Sequence, residues 1–394
     1  MFKHYLLAII ATASTAAQAN TPEPDYWVSL KNNAVPQSMR SQITPLINGL
    51  QTLNPKISVL HVNKSQLEQI QQSLHQRGEH GGYMLHASMQ DALATANMAE
   101  SSNSFDAPTL NQKAQIESLL PQLDATKIID MIKKQSQQRN RIYSLSTGRQ
   151  ASDALSQNWE DLVKDIPYAA VSQIQHKKFP QRSVQVKFTG SKYPDDIIVL
   201  GGHLDSTAGI FHTKRTKAPG ADDNASGIAS LTDIIRVFAE NNIQPERTIV
   251  FFGYAAEEGG LLGSRDVAQN YKSKHVLSAL QMDMTNYRGS DKDYVFMTDY
   301  TDTGMTQFLE KLSDTYLSDL TYGEDKCGYG CSDHASWYKT GVPSAMPAES
   351  KMSDMNHHIH SSSDTLDHSD ITGTHALNIS KLGLTYAIEM GFID

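Results

Sequence analysis

Imidazole and carboxylate side chains recur at a few short sites along this chain. They are His203 and Asp205, Asp222 and Asp223, Glu257 and Glu258, Asp283, and the run His357, His358 and His360. Histidine nitrogen and carboxylate oxygen are ligands that zinc takes readily, and a catalytic zinc site keeps a position open for water. Each residue also has a plainer role when taken alone. His203 suits a satisfied core histidine, and Asp222-Asp223-Asn224 suits a helix N-cap. Asp283 could cap a loop, Glu257 and Glu258 could face solvent, and the three histidines could form a solvent-facing loop. Taken together they point to a metal site. Burying clustered carboxylates without compensation costs several kcal/mol per charge, and a bound divalent cation removes that penalty.

The elements before these residues explain why they would meet. Asp196–Leu200 is an apolar strand that runs into Gly201-Gly202-His203. Thr248–Tyr254 is a second, and it runs into Ala255-Ala256-Glu257-Glu258. Val276–Met282 is a third and ends at Asp283. Val184, Val186 and Phe188 alternate as a half-buried strand does. Tyr294–Thr298 is a further strand. Ile228, Leu231, Ile234, Ile235 and Phe238 fall at helical spacing, as do Leu377, Leu384 and Ile388 near the end. A helix is also expected from about Thr303 to Leu317. Strands separated by helices predict an α/β fold with a mixed central sheet and helices on both faces. Ligands of such sheets bind beyond the carboxyl ends of the strands, where three strand exits deliver these acids and His203.

The chain has 394 residues and a formal net charge of −9, and its balance of charge does not suggest a basic stripe for nucleic acid. Lys3 and His4 precede the apolar run Tyr5–Ala13, and Ala17-Gln18-Ala19 follows as a small-x-small site. This pattern predicts a secretory signal peptide over residues 1–19, no transmembrane segment after its removal, and a secreted protein, extracellular or periplasmic in transit. Residues 20–105 are rich in Gln, Ser, Asn and Ala and show no strong core pattern, although Ser65–Leu74 could be helical. They read as a propeptide, or alternatively as a small attached domain, with Ser101–Ser104 as an exposed linker. Residues 106–394 then form the catalytic domain. The two cysteines, Cys327 and Cys331, are expected to pair in an oxidising compartment. Free thiols or a soft-metal pair are the alternatives.

The ordered blocks closely resemble the secreted bacterial leucyl aminopeptidases, within the co-catalytic zinc peptidase family that also holds glutamate carboxypeptidases. They are Gly201–Ser206, Pro219–Gly227, Tyr254–Gly259, Met282–Tyr287, Cys327–His334 and Ile359–Ser361. The resemblance implies two zinc ions per chain. Asp223 would bridge them, His203 and Asp283 would complete one site, and Glu258 and His360 the other. It implies Glu257 as the catalytic acid and base, Tyr329 as a hydroxyl assisting at the reacting carbonyl, and Asp205 as the acid that orients His203. It also implies a Cys327–Cys331 disulfide beside the substrate pocket, and loss of a propeptide on maturation.

The family's specificity pocket is often aromatic. Here Ala348, Met352 and Met355, with Met284, Met297 and Ile359, are the expected walls. Methionine walls adapt to their contents, so N-terminal Leu or Met is the expected preference, on peptides or protein N-termini. The chain is expected to act as a monomer. The alternative is a zinc carboxypeptidase or other amidohydrolase on the same fold. That enzyme needs a cation for the substrate carboxylate. No Arg or Lys lies inside the matched blocks, although Arg265, Arg288 and Lys351 lie close by.

Overall fold

The computed structural model describes residues 25–42, 57–76, 83–86, 88–96, 101–102, 104–209 and 212–393. The expected signal peptide lies outside the described residues. The strands are β1 (Asp25–Lys31), β2 (Ile57–Asn63), β3 (Tyr83–His86), β4 (Ser101–Ser102), β5 (Ala169–Gln175), β6 (Arg182–Phe188), β7 (Tyr193–His203), β8 (Arg247–Tyr254), β9 (His275–Gln281), β10 (Tyr294–Met297), β11 (Thr301–Asp302), β12 (Tyr322–Asp325) and β13 (Ser344–Ala348). The helices are α1 (Lys64–Gln76), α2 (Met89–Ala96), α3 (Lys113–Leu119), α4 (Ala125–Ser136), α5 (Ser146–Val163), α6 (Ala225–Glu240), α7 (Leu262–Tyr271), α8 (Thr303–Tyr316), α9 (His334–Lys339) and α10 (Thr374–Gly391).

The main sheet has the strand order β12-β10-β13-β9-β7-β8-β6-β5. Its four central strands, β13, β9, β7 and β8, are parallel. Strands β6 and β10 run antiparallel to their central neighbours, so the sheet is mixed, as expected. The apolar run in β7 is explained by burial on both faces. Ile198 and Leu200 join the core that contains Trp159, Phe251, Phe308 and Ile388. Ile197 and Val199 join the opposite core with Phe252, Tyr271 and Trp337. Helices α4, α5, α6, α8 and α10 supply the first core, while α7 and α9 supply the second. Each large apolar side chain buried this way stabilises the fold by about 1.5–3 kcal/mol relative to exposure.

The N-terminal region corrects one expectation. Its composition suggested no strong core, yet β2-β1-β3 form an antiparallel sheet carrying α1 and α2. Val28, Leu30, Leu60, Val62, Ile70, Leu74 and Leu85 form its core. The apolar residues are few and scattered along the sequence, so the pattern is weak locally and closes only when three strands pair. This unit sits against the larger one. Met84 packs with Leu261 and Ala335, and Arg265 donates to the carbonyl of Leu85. Lys339 Nζ lies 3.2 Å from Asp91 Oδ1. The expected exposed linker is also tied down. β4 pairs with β11, and Asp302 accepts the N–H groups of Ser104 and Phe105 at 2.7 and 3.3 Å.

Candidate metal centre

The exits of the four parallel strands carry the site. β7 ends at His203, β8 leads to Glu257 and Glu258, β9 leads to Asp283, and β13 leads to Glu349. Asp223 comes from the turn before α6, and His360 from the loop before α10. Asn224 is the N-cap of α6 and accepts from Gly227 N at 2.8 Å. Gly227 is required there, because a Cβ would stand 2.3 Å from the carbonyl oxygen of Met282.

Two groups of ligand atoms form, His203–Asp223–Asp283 and Asp223–Glu258–His360, with the atoms in each group within 4.8 Å of one another. Asp223 belongs to both, one oxygen to each. Its Oδ1 is 2.9 Å from His203 Nε2, and its Oδ2 is 2.8 Å from His360 Nε2. Asp283 Oδ1 lies 3.2 Å from His203 Nε2, and Glu258 Oε2 lies 3.0 Å from His360 Nε2. Buried oxygens of Glu258 and Asp283 have no hydrogen-bond donor. Such atoms are costly unless a cation takes them, so the residue set fits a pair of divalent ions.

The electrostatics agree. Burial by itself lowers the pKa of His203 and His360. Their carboxylate neighbours outweigh it and hold both imidazoles well above the usual value. Burial likewise raises Asp223, but its bonds to the two histidines outweigh that and hold it far below the carboxylate range. The pocket therefore favours positive charge. Glu258 is pushed up to about 7 and Glu257 well above its usual value, in each case by burial first. Glu258 Oε2 faces His360, whereas Glu257 lines the open pocket without joining either ligand group.

The loops are held by side chains aimed at backbone N–H groups. Ser183 Oγ and Gln181 Oε1 accept from Ala255 N and Ala256 N, each at 3.0 Å. The two oxygens of Asp205 accept from Glu257 N and Glu258 N at 3.1 and 3.2 Å. Four consecutive N–H groups after β8 are thus fixed, and Ala256 is held at φ +55°, a conformation non-glycine residues rarely adopt. Asp205 Oδ1 also lies 3.3 Å from His203 Nδ1. Asp299 accepts from Cys327 N and Gly328 N. Buried Arg141 donates to the carbonyls of Leu204, Pro219 and Gly220, between His203 and Asp223 in the chain. Burial lowers its pKa to about 10, against the pull of Asp364, Asp205 and Asp223. Ser332 donates to Asp283 Oδ2.

Every residue expected in the pocket is there. Met284, Met297, Met352, Met355 and Ile359 line one pocket with Asp223, Glu257, Asp283, Tyr329 and His360. Cys327 and Cys331 form a disulfide on its rim. Sequence reasoning missed Met346 and Glu349 in the lining, and Arg141, Asp299, Ser332 and Asp364 behind it. Position in the chain offered a hint only for Ser332, next to Cys331, and Asp364, four residues past His360. Of the two adjacent acids, Asp223 joins both ligand groups and Asp222 joins neither. Asp222 Oδ1 accepts from Asn286 N at 3.1 Å and Oδ2 from Asn356 Nδ2 at 3.0 Å, while Asn224 caps the helix. Of the other histidines, His358 stacks on His368 at 3.7 Å, and His357 is exposed.

A sequence profile of peptidase family M28 matches residues 183–383. The Saccharomyces cerevisiae protein named Probable aminopeptidase YDR415C is 35% identical over 72% of this chain and 78% of its own length. A protein of Arthroderma otae named Probable leucine aminopeptidase is 34% identical over 77% of this chain and 84% of its own. Among solved structures, LapB from Legionella pneumophila superposes with a TM-score of 0.79 at 28% identity, covering 93% of this chain and 100% of that one. The Legionella pneumophila LapA aminopeptidase gives 0.77 at 25% identity, covering 94% and 99%. Residues 106–394 are less than three quarters of the chain, so this likeness takes in the N-terminal unit.

Proposed function

The chain belongs to peptidase family M28 and is an aminopeptidase, and on that premise we propose that it removes apolar N-terminal residues such as Leu or Met with two zinc ions. The observation that carries this reading is Asp223, which offers one oxygen to each ligand group. His203, Asp223, Asp283, Glu258 and His360 would hold the zinc ions, which would supply a Lewis acid for the scissile carbonyl and for the attacking water. Glu257 takes the proton of the attacking water and returns it to the leaving amine. It lines the pocket and belongs to neither ligand group, the placement a proton carrier needs. The hydroxyl of Tyr329, on the disulfide-closed loop, assists at the carbonyl oxygen. The methionine walls bind the first side chain. A monomer fits a site built from one chain.

We also propose that residues 1–19 export the chain and that residues 20–105 are a propeptide. In support, Lys31 Nζ lies 5.1 Å from the Tyr329 ring centre, and Met84 lies against Gly330, where a Cβ would meet its sulfur at 2.6 Å. The N-terminal unit therefore touches the loop that carries Tyr329.

The test is zinc analysis combined with hydrolysis of Leu- and Met-nitroanilides. Two zinc ions per chain, loss of activity on chelation, and no cleavage of N-acetylated peptides are expected. Activity only on peptides with a free carboxyl terminus would instead favour a carboxypeptidase.

A further inference from the structure

Asp364 lies four residues beyond His360, is 1% exposed, and contacts backbone rather than the reacting centre. Its Oδ1 accepts from Asp222 N at 2.9 Å and its Oδ2 from Asp223 N at 3.1 Å. Its backbone carbonyl accepts from Ala221 N at 3.2 Å. One residue therefore takes three consecutive N–H groups and closes the turn that presents Asp223. The same residue belongs to the loop that presents His360, which is itself held at φ +53°. Asp223 and His360 lie far apart in the chain, yet their ligand atoms stand 2.8 Å apart.

We propose that Asp364 is the positioning residue that sets the separation of Asp223 and His360, and so the affinity of the Asp223–Glu258–His360 group for its ion. The other group shares Asp223 but takes His203 and Asp283 from β7 and the exit of β9. Those two do not depend on the 360–364 loop, so the effect falls mainly on one of the two ions. A carboxylate suits this place because it offers two acceptors to two parallel donors. An amide offers one acceptor and turns N–H toward N–H at the other.

The inference rests on the two-ion reading, and its test separates the two. Zinc is titrated against a competing chelator into full-length wild type and Asp364→Asn. Loss of this kind of supporting contact typically weakens metal binding about 10–100-fold. That loss is expected for one zinc equivalent, with the other much less affected and the folded far-UV spectrum kept. A folded variant that holds both ions with wild-type affinity overturns the proposal, and so does equal weakening of both. A wild type that binds no zinc sinks the two-ion reading along with it. Should Asp364→Asn not fold, amide hydrogen exchange on zinc-free wild type decides the question. Protection of Asp222 and Asp223 N–H is expected, and rapid exchange of both overturns the proposal.

Discussion

Asp205 grips Glu257 by its backbone, taking Glu257 N on Oδ1 at 3.1 Å while the other oxygen takes Glu258 N. The same carboxylate faces His203 Nδ1 at 3.3 Å. One buried acid thus faces a candidate ligand histidine and holds the backbone of the candidate base and of the neighbouring candidate ligand glutamate. Adjacent glutamates can then serve different ends, because their shared backbone is pinned while their side chains diverge.

Replacing Asp205 with Asn leaves one acceptor and puts an amide N–H against a backbone N–H. A fall in kcat of about 10–100-fold is expected, the range for partners that orient metal ligands. Steady-state kinetics on zinc-loaded protein is the check, and unaltered kcat would count against the orienting role.

Glu257 lines the pocket but joins neither ligand group. Glu257→Gln should therefore keep zinc and lose about 10²–10⁴-fold in kcat, the usual contribution of a positioned base. Loss of zinc together with activity would show that Glu257 ligates instead.

Ala348 lies in the cavity wall beside Met297 and Met346, on strands β13 and β10. Ala348→Leu fills part of that space. The ratio of kcat/KM for Leu-nitroanilide over Ala-nitroanilide should fall by about 10-fold or more, since each methylene a pocket accepts or refuses is worth about 1–3 kcal/mol. A ratio that stays put would place the first side chain elsewhere.

His86 and His334 are both buried with pKa values lowered to about 4, by burial first, and for His86 with Lys339 adding to it against the pull of Asp91. Each binds a proton more readily once unfolded. Their neutral forms therefore support the fold above about pH 6.5, and that support is lost as pH falls toward 4. Each is worth up to about 3 kcal/mol at the acid end. Thermal unfolding of full-length protein should show Tm falling across this window, and His86→Gln should flatten the slope. Equal slopes in variant and wild type would exclude His86 as a contributor.

Much of this was legible in the sequence. The apolar runs before His203, Glu257 and Asp283 are strands buried on both faces, and such burial demands continuous apolar residues, so local pattern reveals them. The chemistry of the ligands is equally local, since imidazole and carboxylate are the same groups wherever they lie. The N-terminal sheet was hidden because its core exists only once β1, β2 and β3, well separated in sequence, pair.

What only the tertiary structure decided is which polar residue meets which backbone. Arg141, Asp299 and Asp364 look in sequence like ordinary charged residues, and Asp205 stands out there for His203 but not for the N–H groups it takes. Their roles come from backbone groups outside strands and helices: the carbonyls of Leu204, Pro219 and Gly220 for Arg141, and the N–H groups of Glu257 and Glu258 for Asp205, of Cys327 and Gly328 for Asp299, and of Asp222 and Asp223 for Asp364. Pairing within a strand or helix follows from local pattern. Pairing at a turn depends on whichever side chain the fold brings there, and chain order does not encode that distance.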